Sequence, residues 1–155
     1  GAAFAGDLRQ IDTYFVVPQG RLKLREIELA REAGQPAQHT AELIFYRRPE
    51  DAPTRWSDYY TAPVDAPTAL RDVLGRAYGV RQQIIKTRRL YLYHGARIHL
   101  DQVAALGDFI EFEVPTTADL EAARAVMREL MTAFNLTDDD ALRTSYGEMV
   151  SATRS

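Results

Sequence analysis

Apolar and charged residues alternate along much of the first 115 positions, and this period of two predicts strands, because successive strand side chains point to opposite faces. In Gly20-Arg21-Leu22-Lys23-Leu24-Arg25, cations take one face and leucines the other. Lys86 and Arg88 repeat the pattern. Arg97, His99 and Asp101 alternate with Ile98 and Leu100, and Glu111 and Glu113 with Ile110, Phe112 and Val114. Strand-like segments fall near 10–17, 20–31, 40–48, 55–62, 81–93, 96–104 and 108–115, with Gly34, Pro36, Pro49, Pro53 and Gly95 as breaks.

Helical spacing takes over elsewhere. Asp65-Ala66-Pro67-Thr68 introduces a short helix with Leu70, Val73, Leu74 and Ala77 on one side and Gly79 just past its end. Thr116 or Thr117 begins a longer one, striped by Leu120, Ala123, Val126, Met127, Leu130, Met131 and Phe134. Asp138 is expected to cap a final helix bearing Leu142, Tyr146 and Met149. Strands first and helices last predict an α+β fold, an antiparallel sheet with helices on its apolar side. No repeat, low-complexity tract or linker divides the chain, so residues 1–155 read as a single domain.

Composition narrows the function. At 155 residues and 46% hydrophobic, there is chain enough for a real core. A net charge of −3 argues against nucleic acid and membrane surfaces as partners. The absence of cysteine removes disulfide and thiolate chemistry, which fits a cytoplasmic location. No apolar run approaches the roughly 18 residues of a membrane helix, and no signal peptide is visible.

The charged faces carry the chemistry. The cationic strands hold Arg and Lys in one phase without interleaved acids, whereas a solvated face mixes signs. The acids collect later, at Asp101, Glu111 and Glu113. If these faces line one cavity, its walls bring Arg21, Lys23, Arg25, Arg48, Lys86, Arg88 and Arg97 against those three carboxylates. Such an interior cannot serve as a hydrophobic core, so the apolar faces turn outward under the helices. Cations of this kind suit a polyanion, and neighbouring hard oxygens suit a divalent metal. Arg47 has the opposite phase from Arg48 and should face outward. His99 reads as a structural hydrogen-bonding residue, and Tyr14 and Tyr46 as packing.

Seven segments in order resemble the CYTH family of class IV adenylyl cyclases and thiamine or inorganic triphosphatases, the triphosphate tunnel metalloenzymes. They are Gln10-Ile-Asp-Thr-Tyr-Phe15, Gly20-Arg-Leu-Lys-Leu-Arg-Glu26, Glu42-Leu-Ile-Phe-Tyr-Arg-Arg-Pro49, Lys86-Thr-Arg-Arg-Leu-Tyr91, Arg97-Ile-His-Leu-Asp101, Leu106-Gly-Asp-Phe-Ile-Glu-Phe-Glu113 and Ser145-Tyr-Gly-Glu148. The resemblance spans about residues 10–150 and leans toward the cyclase-like bacterial branch. It implies an eight-stranded antiparallel tunnel with a charged lumen. The family's first strand normally carries Glu-x-Glu-x-Lys, and no such run precedes Gln10. The expectation is therefore seven strands here, with the eighth upstream of Gly1.

The resemblance implies a triphosphate clamp of Lys23, Arg25, Arg48, Lys86 and Arg88, extended by Arg21 and Arg97, and Mg²⁺ or Mn²⁺ held by Glu111, Glu113 and Asp101. The family's catalytic lysine has no counterpart, so no catalytic residue is assigned. The expected partner is ATP, thiamine triphosphate or tripolyphosphate, bound by a monomer or homodimer. Three readings stand: a triphosphate phosphohydrolase, an adenylyl cyclase making cyclic AMP and pyrophosphate, and a binding module without turnover. Hydrolysis is favoured because it needs no dedicated adenine pocket and none is identifiable.

Overall fold

The alternating segments become seven strands of one sheet in the computed structural model, which describes residues 1–30, 37–47, 58–115, 120–142, 144 and 146–152. The elements run β1 (Ala3–Phe15), β2 (Arg21–Leu29), β3 (Gln38–Arg47), β4 (Asp58–Pro63), α1 (Pro67–Tyr78), β5 (Val80–Tyr93), β6 (Ala96–Val103), β7 (Gly107–Glu113), α2 (Leu120–Ala133) and α3 (Tyr146–Ala152). The sheet order is β4-β3-β2-β1-β5-β6-β7, with antiparallel pairing. Among the described residues β4 and β7 stand at its two ends, so the tunnel closed by an eighth strand is not seen. The chain forms two compact units, Arg9–Lys86 and Gly1–Leu8 with Thr87–Ser155.

In the Arg9–Lys86 unit, Leu24 lies opposite Leu43 on one face, and Arg21, Lys23 and Arg25 lie opposite Tyr46, Ile44 and Glu42 on the other, so alternation puts the cations on one face with Ile44 among them. Leu24 and Ile44 are fully buried. Gly20 opens β2 with φ +66°, and a Cβ there would stand 2.8 Å from both the Phe45 ring and the Tyr46 carbonyl oxygen. Only glycine satisfies both demands. Helix α1 starts with a proline in its first turn and ends at Gly79, φ +82°. Arg71 donates to Glu26 of β2 at 2.8 Å. Leu70 and Leu74 are half-buried whereas Val73 and Ala77 are exposed, so the covered stripe is narrower than its spacing suggests.

In the other unit, α2 covers the apolar face of β5–β7. Leu130 and Val126 pack on Ala96, Ile98, Tyr91, Tyr93, Ile110, Phe112 and Val114, and Phe134 meets the Phe112 ring at 5.5 Å. This is the core that the long helical stripe anticipated.

Two boundaries differ from expectation. Strand β1 begins at Ala3, well before Gln10. Its Ala and Gly have little strand propensity of their own; Phe4 packs on Tyr91 at 5.6 Å and Asp7 takes Arg89 at 2.9 Å, so β5 holds it extended. The last helix begins not at Asp138 but at Tyr146. Asp138–Asp140 is a single 3-10 turn closed by a capping box, with the Thr137 backbone N–H and hydroxyl both donating to Asp140. Ala141 then returns to extended backbone, and Leu142 is exposed.

Candidate functional site

Two charge clusters emerge, one in each unit. The first grows from β1 and β2, whose polar residues share a phase: Gln10, Asp12 and Tyr14 on one strand, Arg21, Lys23 and Arg25 on the next. Register places Tyr46 opposite Arg21 and Glu42 opposite Arg25. Asp12 is only 5% exposed and is the hub. Its Oδ2 accepts from Lys23 Nζ at 2.8 Å and Arg25 Nη2 at 2.9 Å. Its Oδ1 accepts from Arg25 Nε at 2.9 Å and Gln10 Nε2 at 3.2 Å. Lys23 Nζ also lies 5.5 Å from the Tyr14 ring centre and 5.9 Å from that of Tyr46, within cation–π range. Arg21 approaches the Tyr46 ring at 6.0 Å.

Electrostatics follow from burial and charge. Burial pushes the Asp12 pKa up, but the Arg25 hydrogen bonds and the charges of Lys23 and Arg25 outweigh it, leaving it at about 2. Burial pushes Lys23 down; Asp12 pulls it back up, while Arg25 and buried Lys86 push it down again, and it ends below the usual lysine value. Burial, then the Asp12 charge, drives the Tyr14 hydroxyl upward, so it stays protonated. Lys23 and Arg25 thus share one acid, with buried Lys86 close enough to act on Lys23, in surroundings where charge is weakly screened.

The second cluster inverts the signs. Arg88 forks onto Asp101, Nε to Oδ1 at 2.6 Å and Nη2 to Oδ2 at 2.7 Å, and Nη2 also reaches Glu111 Oε2 at 2.6 Å. The Asp101 side chain is wholly buried, whereas Glu111 is half exposed. The Tyr146 hydroxyl of α3 donates to Asp101 Oδ2 at 3.3 Å, and its ring lies 5.0 Å from Phe109. Burial first, then Asp101 and Glu111, raises its pKa. His99 is buried; its Nδ1 finds no hydrogen-bond partner among the described residues and lies 3.6 Å from Glu111 Oε2. Arg97 and Glu113, directly opposite in register, meet at 3.3 Å near solvent.

The CYTH domain profile matches residues 1–146. The chain belongs to the CYTH family. Solved structures agree in fold. The PH1012 protein of Pyrococcus horikoshii superposes with a TM-score of 0.75 at 23% identity, over 96% of this chain and 85% of that one. The PH1819 protein of the same organism gives 0.74 at 21%, over 99% and 89%. A Vibrio parahaemolyticus protein named as a putative adenylate cyclase gives 0.64 at 24%, over 97% and 83%. No curated protein matches the chain.

A CYTH chain implies a divalent metal, and the acid cluster is where its donors were expected. Their chemistry suits Mg²⁺ or Mn²⁺, but their arrangement does not. Both Asp101 oxygens and Glu111 Oε2 accept from Arg88, and among the described residues no three His, Asp or Glu side chains are grouped to hold an ion.

Of the cations expected to clamp a triphosphate, Lys23, Arg25, Arg21 and Lys86 fall in the first unit, the first two on Asp12. Arg88 and Arg97 sit instead with the acids. Arg48 lies outside the described residues, as do Trp56 and Ser57. Arg47 is exposed and donates to Gln19 at 3.0 Å, as its phase required. A cavity of about 570 Å³ in the Arg9–Lys86 unit is lined by Arg9, Glu26, Glu28, His39 and Asp65 among others, and none of the described clamp residues lines it.

Two residues went unassigned in the sequence. Asp12 stands in phase with Gln10 and Tyr14, a signal that marks a polar face but not a hub for two cations of the next strand. Tyr146 reads as part of a helical stripe, yet its hydroxyl serves Asp101. No helix among the described residues is long and apolar enough to cross a membrane.

Proposed function

We propose that this CYTH protein acts on small molecules carrying a triphosphate and hydrolyses an organic or inorganic triphosphate. One observation carries the reading: Lys23, Arg25 and Lys86 are gathered, buried or half-buried, in a CYTH fold. Lys23 and Arg25 share the single carboxylate of Asp12, and a chain of phosphates carries several negative charges that cations grouped in this way can meet. Arginine meets two phosphate oxygens with its planar fork, and lysine meets one as a compact charge. Family resemblance adds Arg48, Arg88, Arg21 and Arg97 to the proposed clamp. It also supplies the eight-stranded tunnel, which we take as the closed form of the sheet.

Phosphoryl transfer asks little covalent chemistry of a protein. The cations that position the phosphates also stabilise charge shifting onto the leaving phosphate, and this is the work assigned to Lys23, Arg25 and Lys86. CYTH enzymes depend on a divalent cation. Asp101, Glu111 and Glu113 are the proposed donors for Mg²⁺ or Mn²⁺ by their chemistry alone, since Arg88 engages two of them here.

Two other readings each have one observation in their favour. Likeness to the Vibrio protein named as a putative adenylate cyclase favours a cyclase that converts ATP to cyclic AMP and pyrophosphate. The engagement of Asp101 and Glu111 by Arg88 favours a module that binds polyphosphate or nucleotide without turnover. Incubation with Mg²⁺ or Mn²⁺ and tripolyphosphate, thiamine triphosphate or ATP separates the three. Released orthophosphate is the expected product. Cyclic AMP with pyrophosphate would replace the first reading by the second, and tight binding with no product would leave the module.

A further inference from the structure

We propose that Asp12 is a positioning residue of the triphosphate site, whose buried carboxylate locks Lys23 and Arg25 of β2 into one fixed cationic pair. The inference deepens the function proposed above and rests on it. A carboxylate offers about four lone-pair positions, and here all four are used: Oδ1 takes Gln10 and Arg25 Nε, and Oδ2 takes Lys23 and Arg25 Nη2. Two cations of one strand are thereby fixed on two oxygens of the neighbouring one, at positions set by the backbone rather than by flexible side chains. Because Arg25 meets Asp12 through its Nε–Nη2 edge, the edge bearing Nη1 is turned away from Asp12.

The groups facing Lys23 make this more than packing. Arg25 from β2 and Lys86 from β5 repel its proton, and burial does the same. Tyr14 of β1 and Tyr46 of β3 present ring faces, and Glu42 of β3 stands opposite Arg25. Of the charged groups acting on the Lys23 proton, Asp12 is the one that favours keeping it. Without the Asp12 charge, Lys23 loses its proton at lower pH and the pair loses half its charge. An ordinary acid beside an anion site does the opposite, because its removal tightens anion binding at every pH.

Isothermal titration with tripolyphosphate from pH 6 to 10 tests this on the wild-type protein, Asp12→Asn, and Asp12→Asn combined with Lys23→Met. For Asp12→Asn we expect affinity to begin falling at least one pH unit below the wild-type profile, with about a tenfold deficit above pH 8. The double variant should lack that low-pH step. An unshifted profile, or uniformly tighter binding by Asp12→Asn, overturns the proposal. If asparagine at position 12 prevents folding, the ¹⁵N shift of Lys23 Nζ in the wild-type protein at pH 8 decides. An ammonium signal supports the proposal, and a neutral amine overturns it. Wild-type protein that ignores tripolyphosphate would remove the functional reading, and the Lys23 shift would still judge Asp12 separately.

Discussion

In the Arg9–Lys86 unit a carboxylate, Asp12, sits among cations; in the other unit a guanidinium, Arg88, sits among carboxylates. Both minority charges sit in the same kind of place, on a strand next to the majority strand, with forked hydrogen bonds. They differ in their surroundings. The Asp12 side chain is 7% exposed and its partner Lys23 6%, whereas Glu111 and Glu113 are about half exposed. A buried hub binds its partners in weakly screened surroundings and cannot be replaced by water. A half-solvated patch exchanges its partners cheaply. The first cluster is therefore part of the fold, as is the buried Arg88–Asp101 pair of the second, and it is the outer edge of the second, Glu111 and Glu113, that can be altered without unfolding the chain.

The sharpest way to break this contrast is Asp12→Ala. Removing the hub strands two cations without their acid and should cost about 3–5 kcal/mol of stability, read by denaturant unfolding. Next is Glu111→Gln, which should lower triphosphate turnover by about 100-fold while stability stays within about 1 kcal/mol. Unchanged turnover would remove Glu111 from the working set, and a large stability loss would erase the difference between the clusters. Acid should act mainly through the buried hub. The Asp12 pKa is held at about 2, below an ordinary carboxylate, so its contribution is fully present above about pH 4 and is lost as pH falls through about 2. That contribution is about 2–3 kcal/mol and should vanish from the acid-unfolding curve of Asp12→Asn. The smallest effect belongs to Arg97→Ala, which breaks an exposed pair with Glu113 and should cost less than about 1 kcal/mol.

The strands were legible because alternation has a period that helices do not share, and Leu22 and Leu24 against Lys23 and Arg25 set the two faces before any pairing was known. The CYTH motifs were legible for the same reason, as charged residues in phase. What a single chain does not display is which strand lies next to which. Asp12 looks like one polar residue until β1 is placed beside β2, and Arg88 looks like one more clamp cation until β5 is placed beside β6 with Asp101. Strand β1 began early because Tyr91 and Arg89 hold Phe4 and Asp7, a tertiary cause absent from local propensity. The last helix began late because Thr137 and Asp140 close a turn that looked like a helix cap. Tyr146 and Met149 do lie on that helix, whereas Leu142, in the same spacing, falls before it and is exposed.

The account stands on the buried cations recognising a chain of phosphates rather than negative charge in general. Calorimetric titration of tripolyphosphate and orthophosphate into wild-type protein and Lys23→Ala measures this directly. Tripolyphosphate should lose at least about tenfold in affinity through loss of a charge-assisted hydrogen bond, and orthophosphate several-fold less. Equal losses for both ligands, or no binding of tripolyphosphate by the wild-type protein, would contradict the assignment.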